Sequence, residues 1–414
     1  MDCQFKDMGV LVDCSRNAVI KVETLKRFIN IIAQMGYTSL RLYTEDTFQM
    51  ADDPYFGYMR GRYSTTEIKD IDSYCADMGI ELIPCIQTLA HLNQIVKYEA
   101  YNKLWDIRDI LLVGSNDTYE FIDRMFLNLE KSFTSRRVNI GMDEAYLLGR
   151  GRYLDQNGIV PQSQIFHEHL ERVSDIAARH GFTCEMWGDM FMHDAFGHDF
   201  HNVSKNLPET YRANIPGNIK LIHWDYYNTE IEKYIQQNKN YQQISSDIAF
   251  AGSAWKFTGF APDNEFSMKT IESSMDAAIY CGLNSYMITL WADSGAEASL
   301  FSILPSLYFA SVKAHGGLKG QNEWKQGFKQ LTGVPFDNYM ILDRLNKPIA
   351  KAYPKTNNKS FMYLYNDLLL GLMDSMVTTG ISEHYRKLSQ QMSENYGGEY
   401  AYVFETLKAL CDIL

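Results

Sequence analysis

No stretch of the 414 residues approaches the roughly 20 uninterrupted apolar residues that a membrane-spanning helix needs. The first residues, Met1-Asp2-Cys3-Gln4-Phe5-Lys6-Asp7, lack the basic and then apolar profile of a secretory leader. Cysteine is sparse: seven residues, an odd count with no Cys-x-x-Cys pair. That disfavours a disulfide framework or a zinc site, and reduced core thiols are expected. Positive charge is also short, with 39 Lys+Arg against 51 Asp+Glu, a net charge of −12, and no basic cluster longer than Arg60-Gly61-Arg62. An acidic chain is repelled by nucleic acid and by anionic membranes, so neither is expected as a partner. No low-complexity segment or Gly/Ser linker interrupts the sequence. A cytoplasmic protein is the expectation, although a start almost directly on a strand leaves room for an upstream domain or leader.

What is present is an apolar fraction of 46% with 22% charged residues, enough apolar surface to offset the entropy of ordering the backbone. Short apolar runs alternate with segments of helical period for about 310 residues. The runs read as strands are Gly9 to Asp13, Ser39 to Tyr43, Ile80 to Ile86, Arg137 to Gly141, Thr183 to Trp187, Lys220 to Trp224, Ile248 to Ser253 and Ser285 to Leu290. Val22 to Met35, Ile165 to His180 and Met268 to Tyr280 space their apolar residues for one helix face. Gly36, Gly79, Gly181 and Gly282 fall between a helical segment and the next strand, where glycine commonly ends a helix. Eight such units predict the α/β class and a (β/α)8 TIM barrel. No Gly-x-Gly-x-x-Gly follows the first strand, which weakens a dinucleotide-binding sheet. From about Gly317 the strand signal fades, and Phe361 to Met373, Tyr385 to Tyr396 and Val403 to Leu414 read as helices. The expected division is a barrel over residues 1–316 and a C-terminal helical appendage over residues 317–414, rigidly joined.

Active sites of such barrels lie at the C-terminal strand ends. Those positions hold Asp13-Cys14-Ser15-Arg16, Tyr43-Thr44-Glu45-Asp46, Gln87 to His91, Asp143-Glu144, Trp187-Gly188-Asp189, Trp224-Asp225-Tyr226-Tyr227, Trp255 and Trp291-Ala292-Asp293. Most of the six tryptophans are thus at or just past strand ends. Core packing explains a single tryptophan as well as anything else does; a ring of them with carboxylates and an arginine fits a sugar, whose C–H faces stack on indoles. Asp143-Glu144 is the sharpest feature. Adjacent carboxyls at a buried strand end repel each other, so one is pushed towards the protonated form that a general acid needs. The plain alternative is a helix cap.

The segments Leu11-Val12-Asp13-Cys14-Ser15-Arg16, Tyr43 to Phe48, Ile83 to His91, Ile140 to Ala145 and Leu290-Trp291-Ala292-Asp293 together resemble glycoside hydrolase family 20, the β-N-acetylhexosaminidases. The likeness runs from about Gly9 to Glu297 and is closest to the bacterial branch of exo-acting enzymes with a helical C-terminal region. It implies a retaining, substrate-assisted mechanism. By that resemblance Glu144 is general acid and base, and Asp143 orients the 2-acetamido group. Tyr227, or else Tyr226, bonds the acetamido oxygen, and strand alternation puts the two on opposite faces. Arg16 and Asp293 grip ring hydroxyls, Asp293 standing where many members have a glutamate. Trp291 floors the ring, and Trp187, Trp224 and Trp255 are candidates for walling the acetamido methyl. His91 links the general acid to Glu45 or Asp46. Gln87 replaces an aspartate common in the family.

A histidine is more often structural than catalytic, and His91 is singled out by position alone. His193, His198, His201 and His223 could suggest a metal, yet the first strand lacks the His-x-His of metal-dependent barrel hydrolases. No metal and no cofactor are therefore expected. The implied partner is an oligosaccharide or glycoconjugate ending in an N-acetylhexosamine, and a homodimer is left open. Two other readings stand beside this one: a retaining β-glycosidase with a protein carboxylate nucleophile, using Glu144 and Asp293, and a non-catalytic amino-sugar-binding barrel.

Overall fold

The computed structural model describes residues 2–202, 205–213, 215–293, 295–317, 321–347, 359–365, 369–371, 374, 377, 379–393 and 398–414. Eight parallel strands close a barrel: β1 (Asp7–Asp13), β2 (Ser39–Tyr43), β3 (Glu81–Cys85), β4 (Arg137–Asn139), β5 (Thr183–Trp187), β6 (Ile219–Trp224), β7 (Ile248–Ser253) and β8 (Ser285–Leu290). Their order is β1-β8-β7-β6-β5-β4-β3-β2, and β1 closes on β8 from Asp7 opposite Ser285 to Val12 opposite Leu290. These are the eight strands that the sequence predicts, with ends moved by one or two residues. The helices α1 (Val22–Gln34), α2 (Thr65–Asp77), α3 (Asn116–Ser132), α4 (Gln162–Arg179), α5 (Asp189–Phe196), α6 (Ile231–Ile244), α7 (Asn264–Tyr280) and α8 (Leu304–Ala314) follow the strands in turn. α1 buries Leu25, Phe28, Ile29 and Ile32 on its strand-facing side. A small antiparallel ribbon, Trp105–Ile107 with Ile110–Leu111, is inserted between β3 and α3; no sequence pattern marked it.

The barrel interior is layered, and the layering follows from the twofold period of its strands. At the base, Arg41 is fully buried between Asp7 (Nη2 to Oδ2, 3.0 Å) and Glu185 (Nε to Oε2, 2.9 Å), and Arg137 joins both acids. Gly9 lies one inward position above Asp7. A Cβ there would come within 2.6 Å of Arg41 Nη1, so the absent side chain is what admits the guanidinium. Above lies an apolar layer of Leu11, Cys85, Ile222, Ala249, Ala251 and Met287. The next inward positions are Asp13, Tyr43, Gln87, Trp187, Trp224 and Trp291, and they form the top. The β3–β4 seam is the thinnest, with Cys85 opposite Asn139 as its one ladder pair. It continues as the irregular bonds Ile86 N–H to Asn139 O (2.9 Å) and Thr88 N–H to Ile140 O (3.2 Å). Here the backbone leaves regular pairing to build the site.

After the barrel come the helices Gln321–Thr332, Phe336–Tyr339, Lys359–Leu364, Ile381–Ser393 and Ala401–Ile413. The expected helix Phe361 to Met373 is helical to Leu364, and much of its remainder is outside the described residues; the end of Tyr385 to Tyr396 is outside them too. Asp343 ties this region to α7, accepting from Asn264 Nδ2 at 3.0 Å and Glu265 N–H at 2.7 Å. Tyr339 donates to Phe301 O at 2.6 Å. All seven cysteines are free thiols, five of them buried. Among the described residues no helix is long and apolar enough to cross a membrane.

Candidate active site

The strand ends form a cavity, open to solvent, walled by Arg16, His91, Asp143, Glu144, Trp187, Trp224, Tyr226, Tyr227, Phe257, Trp291 and Asp293. A wider, more open groove lies beside the first turn of α3, among Asp53, Tyr101, Asp117 and Arg124, and none of the strand-end carboxylates is among its walls.

One side of the cavity is organised around Arg16. Its Nη1 donates to Asp13 Oδ2 at 2.9 Å and lies 3.7 Å from Asp293 Oδ1, and its Nε is 3.8 Å from Glu45 Oε1. The guanidinium also packs over the rings of Tyr43 and Trp291, 5.0 and 5.2 Å from their centroids. Asp13 is itself pinned by Ser15 N–H and Ala292 N–H, which fixes the arginine through its partner. Burial pushes Glu45 up to about 7 against the pull of Arg16, and burial likewise raises Asp293.

The acid pair sits across from this corner. Gln87 donates through Nε2 to both Tyr43 Oη (3.0 Å) and Asp143 Oδ1 (2.8 Å), and its Oε1 accepts from Met142 N–H. His91 Nε2 lies 3.2 Å from Asp143 Oδ2 and 3.5 Å from Glu144 Oε2. Burial alone would raise Asp143, but the charge on His91 and the bonds from His91 and Gln87 override it, and the carboxyl is held below the usual range. Burial works against His91 too, and Asp143 beside it lifts the imidazole to about 9. Glu144 reaches into the open cavity and is raised, first by partial burial and then by the charge of Asp143. Two neighbours in the chain are thus pushed in opposite directions: Asp143 is clamped towards its ionised form, and Glu144 is biased towards keeping its proton.

Backbone strain sits on this wall. Glu45, His91, Met142 and Glu144 all have positive φ, at 45°, 58°, 70° and 53°. Such conformations cost of order 1–3 kcal/mol each in a residue with a Cβ and persist where surrounding bonds over-determine them. Gly141, just before Met142, has φ 73°; a Cβ on it would lie 2.1 Å from Gln87 Oε1, so the glycine lets Gln87 pass beneath the acid pair.

The cavity gathers Arg16, His91, Asp143, Glu144, Trp187, Trp224, Tyr226, Tyr227, Trp291 and Asp293 from the sequence-derived set, and leaves two members behind the wall. Asp46 turns away to Arg60 (Nε to Oδ1, 3.2 Å), whose other nitrogen holds Ser15 O, so Glu45 is the strand-two carboxylate on the His91 side. The ion pairs of His91 are with Asp143 and Glu144, and neither Glu45 nor Asp46 takes part in them. Trp255 stands one layer back, its indole N–H spent on Tyr226 O at 3.0 Å and its ring packed on Phe257 and Phe266. Tyr226 and Tyr227 do not oppose each other across a strand. β6 ends at Trp224, Asp225 Oδ1 accepts Tyr227 N–H at 2.9 Å, and the resulting bend brings both rings to the cavity. Phe257 also walls the cavity, and a lone Phe beyond a strand carried no signal for it; Asp189, one of the strand-end residues, lies behind the acid pair and not on the wall. Among the described residues no three His, Cys, Asp or Glu side chains converge as a metal site.

Comparison with known proteins bears on the family and the fold. Residues 337–414 match the family model "Glycoside Hydrolase 20C C-terminal domain". The chain is similar to hexosaminidase D of Homo sapiens, 26% identical over 267 residues that are 58% of this chain and 49% of the relative. It is also similar to hexosaminidase D of Bos taurus, 26% identical across 51% of this chain and 60% of the relative. It therefore spans about half of the first relative's length and three-fifths of the second's. Its fold is that of an exo-β-N-acetylglucosaminidase from Vibrio harveyi solved with N-acetylglucosamine, with a TM-score of 0.56, 15% identity, and coverage of 80% of this chain and 59% of the other. A β-N-acetylhexosaminidase from Bacteroides fragilis gives the same TM-score at 16% identity, covering 79% and 71%. At such identities the solved structures speak for the fold alone. The catalytic-domain model matches residues 5–251, more than half of the sequence and seven of the eight barrel strands with Arg16, the acid pair and three of the tryptophans; the chain belongs to glycosyl hydrolase family 20.

Proposed function

We propose that this chain is an exo-acting, retaining β-N-acetylhexosaminidase that removes terminal β-linked N-acetylglucosamine or N-acetylgalactosamine with the sugar's own 2-acetamido group as nucleophile. The observation that carries this reading is the clamped, ionised Asp143 beside Glu144, which is biased to keep its proton at the cavity face. Glu144 gives that proton to the glycosidic oxygen while the acetamido oxygen attacks the anomeric carbon from the opposite face and the glycosidic bond breaks. Asp143 accepts the acetamido N–H and balances the positive charge that spreads over the oxazolinium ring. Water then attacks the anomeric carbon as its bond to the acetamido oxygen breaks and the ring reopens, the water's proton passes to Glu144, and the sugar leaves with retained configuration. Arg16 and Asp293 hold ring hydroxyls, Trp291 floors the ring, and Trp187 and Trp224 wall the acetamido methyl. Tyr227 is the donor to the acetamido oxygen: it is half exposed in the cavity, whereas Tyr226 is buried, its hydroxyl oxygen accepting the Trp291 indole N–H at 3.0 Å. The division at residues 316 and 317 belongs to the same reading, with the helical region bracing α7 through Asp343 rather than supplying chemistry.

Asp293 serves poorly as a protein nucleophile, because its carboxyl is pushed towards the neutral form and already faces Arg16. Hydrolysis of a chromogenic N-acetyl-β-glucosaminide beside the matching β-glucoside tests the choice. Cleavage of the first alone is the expected result. Comparable cleavage of both would overturn neighbouring-group chemistry in favour of two protein carboxylates, and cleavage of neither would favour a binding protein.

A further inference from the structure

Asp189 opens α5 directly behind the acid pair, with no exposed surface. Its Oδ2 accepts the backbone N–H of Glu144 at 3.0 Å, while its Oδ1 is buried without a hydrogen-bond partner among the described residues. The Trp224 indole faces the same carboxyl. Its own position is fixed from below: Gly188 donates to Ile222 O at 3.0 Å and packs so closely on Tyr241 that a Cβ would lie 2.4 Å from that ring. Glu144, the residue it holds, is in the left-handed backbone region, which no side chain adopts without support.

We propose that Asp189 is the positioning residue of the general acid: by accepting the Glu144 N–H it locks Glu144 into its strained backbone conformation and so aims the carboxyl into the cavity. This rests on the functional reading above, in which Glu144 is the acid. The surroundings push Asp189 towards the uncharged acid, against the pull of the Glu144 and Trp224 N–H donors. The groups facing it are Asp143, Glu144 and Tyr146 from the loop after β4, Trp224 from β6 and Tyr241 from α6, with His193 one turn along its own helix; none of those on neighbouring elements is a cation. Burial first, and then the charge of Asp143, pushes Asp189 up to about 8. An ionised Asp189 would place a second buried charge against Asp143, whereas a neutral one still offers Oδ2 as an acceptor.

Two variants and a spectrum test this. D189N keeps an acceptor oxygen for the Glu144 N–H, and D189A removes it. On a chromogenic N-acetyl-β-glucosaminide, D189A is expected to lose about 10- to 100-fold in kcat with KM little changed, as a misaimed acid should. D189N is expected to recover most of that loss. Equal losses in the two variants, or no loss in D189A, would overturn the positioning role. The infrared difference between wild type and D189N at neutral pH should contain the carbonyl band of a protonated carboxylic acid, and its absence would overturn the uncharged state even where D189A fails to fold. Inactivity of the wild type overturns the functional reading instead, and the infrared band still decides Asp189.

Discussion

Replacing Asp143 by asparagine removes one charge and almost no volume, and the consequences can be worked from the contacts around it. The amide oxygen can still accept from Gln87, whose bond to Oδ1 is 2.8 Å in the native protein. What is lost is the negative charge that faces the acetamido group when its nitrogen becomes positive. Two unit charges about 4 Å apart at an effective dielectric near 20 interact by ~4 kcal/mol. The ring charge is only partly developed in the transition state, so ~2–4 kcal/mol is at stake, roughly 30- to 1000-fold in kcat. The ground-state amide is neutral, so KM should move far less. A second effect has a definite sign. Asp143 is the like charge that helps to raise Glu144, and His91 is raised by Asp143 in turn. On the proposed mechanism Glu144 works protonated and the rate falls as pH rises through its pKa, so D143N should move the alkaline limb of kcat/KM to lower pH. Steady-state kinetics on a chromogenic N-acetyl-β-glucosaminide across pH, with unfolding midpoints recorded alongside, reads both effects. A folded D143N with kcat within about threefold of wild type and an unmoved limb would refute the assignment of charge to Asp143.

Three other changes have defined outcomes. E144Q should lower kcat by about 10²–10⁴ with an unchanged unfolding midpoint, and more for a sugar leaving group than for a nitrophenolate that needs no proton; a uniform loss on both substrates would speak against an acid. Glu45 is raised to about 7 by burial, opposed by Arg16, so its proton is bound more tightly in the folded state than in the unfolded chain. Its contribution to stability is full below the unfolded value and fades as pH rises through the folded one, so E45Q should gain in unfolding midpoint relative to wild type more at about pH 8 than at about pH 5. R41M leaves Asp7 and Glu185 to Arg137 alone in the barrel base and should cost about 3–5 kcal/mol in denaturant unfolding; a loss below about 1 kcal/mol would mean that the base relaxes around the vacancy.

The barrel was legible because parallel strands covered on both faces read as short apolar runs, and Ser39 to Tyr43, Thr183 to Trp187, Ile248 to Ser253 and Ser285 to Leu290 keep those bounds in the structure. The site was legible wherever a residue still belongs to a strand's inward column, as Asp13, Trp187, Trp224 and Trp291 do. Beyond the last ladder bond that logic fails. Alternation put Tyr226 and Tyr227 on opposite faces, but an Asx bend at Asp225 governs them instead. Adjacent Glu45 and Asp46 carried no local difference to separate them; Arg60, fourteen residues on, takes Asp46 away from the cavity. Trp255 had the right type and place in the sequence, and a bond to a backbone carbonyl twenty-nine residues away turned it into support. Gln87 was visible only as a departure from the family pattern; its use depends on Gly141 across a seam that has almost no ladder.

The distribution of strain says why the site is built where it is. Of the eight non-glycine residues with positive φ among the described residues, Asn17, His91, Met142, Glu144 and Ala296 lie within three residues of cavity side chains, and Glu45 faces the cavity's Arg16. At of order 1–3 kcal/mol each, such a cluster would consume much of the stability of an ordinary domain if the loops carried it alone. They do not carry it alone. Three of the strained residues around the acid pair are fastened to another strand's loop, Met142 N–H to Gln87, Glu144 N–H to Asp189 and the Glu45 carboxyl to Arg16, and His91 N–H is held by Asp109 within its own β3–α3 connection. Those anchors stand on strands whose lower ends are tied by the Asp7–Arg41–Glu185–Arg137 layer, two layers beneath the cavity. A barrel loosened at its base should therefore give up acid geometry before it gives up the fold, with kcat falling below the unfolding midpoint in R41M while the native enzyme holds its rate up to its own transition.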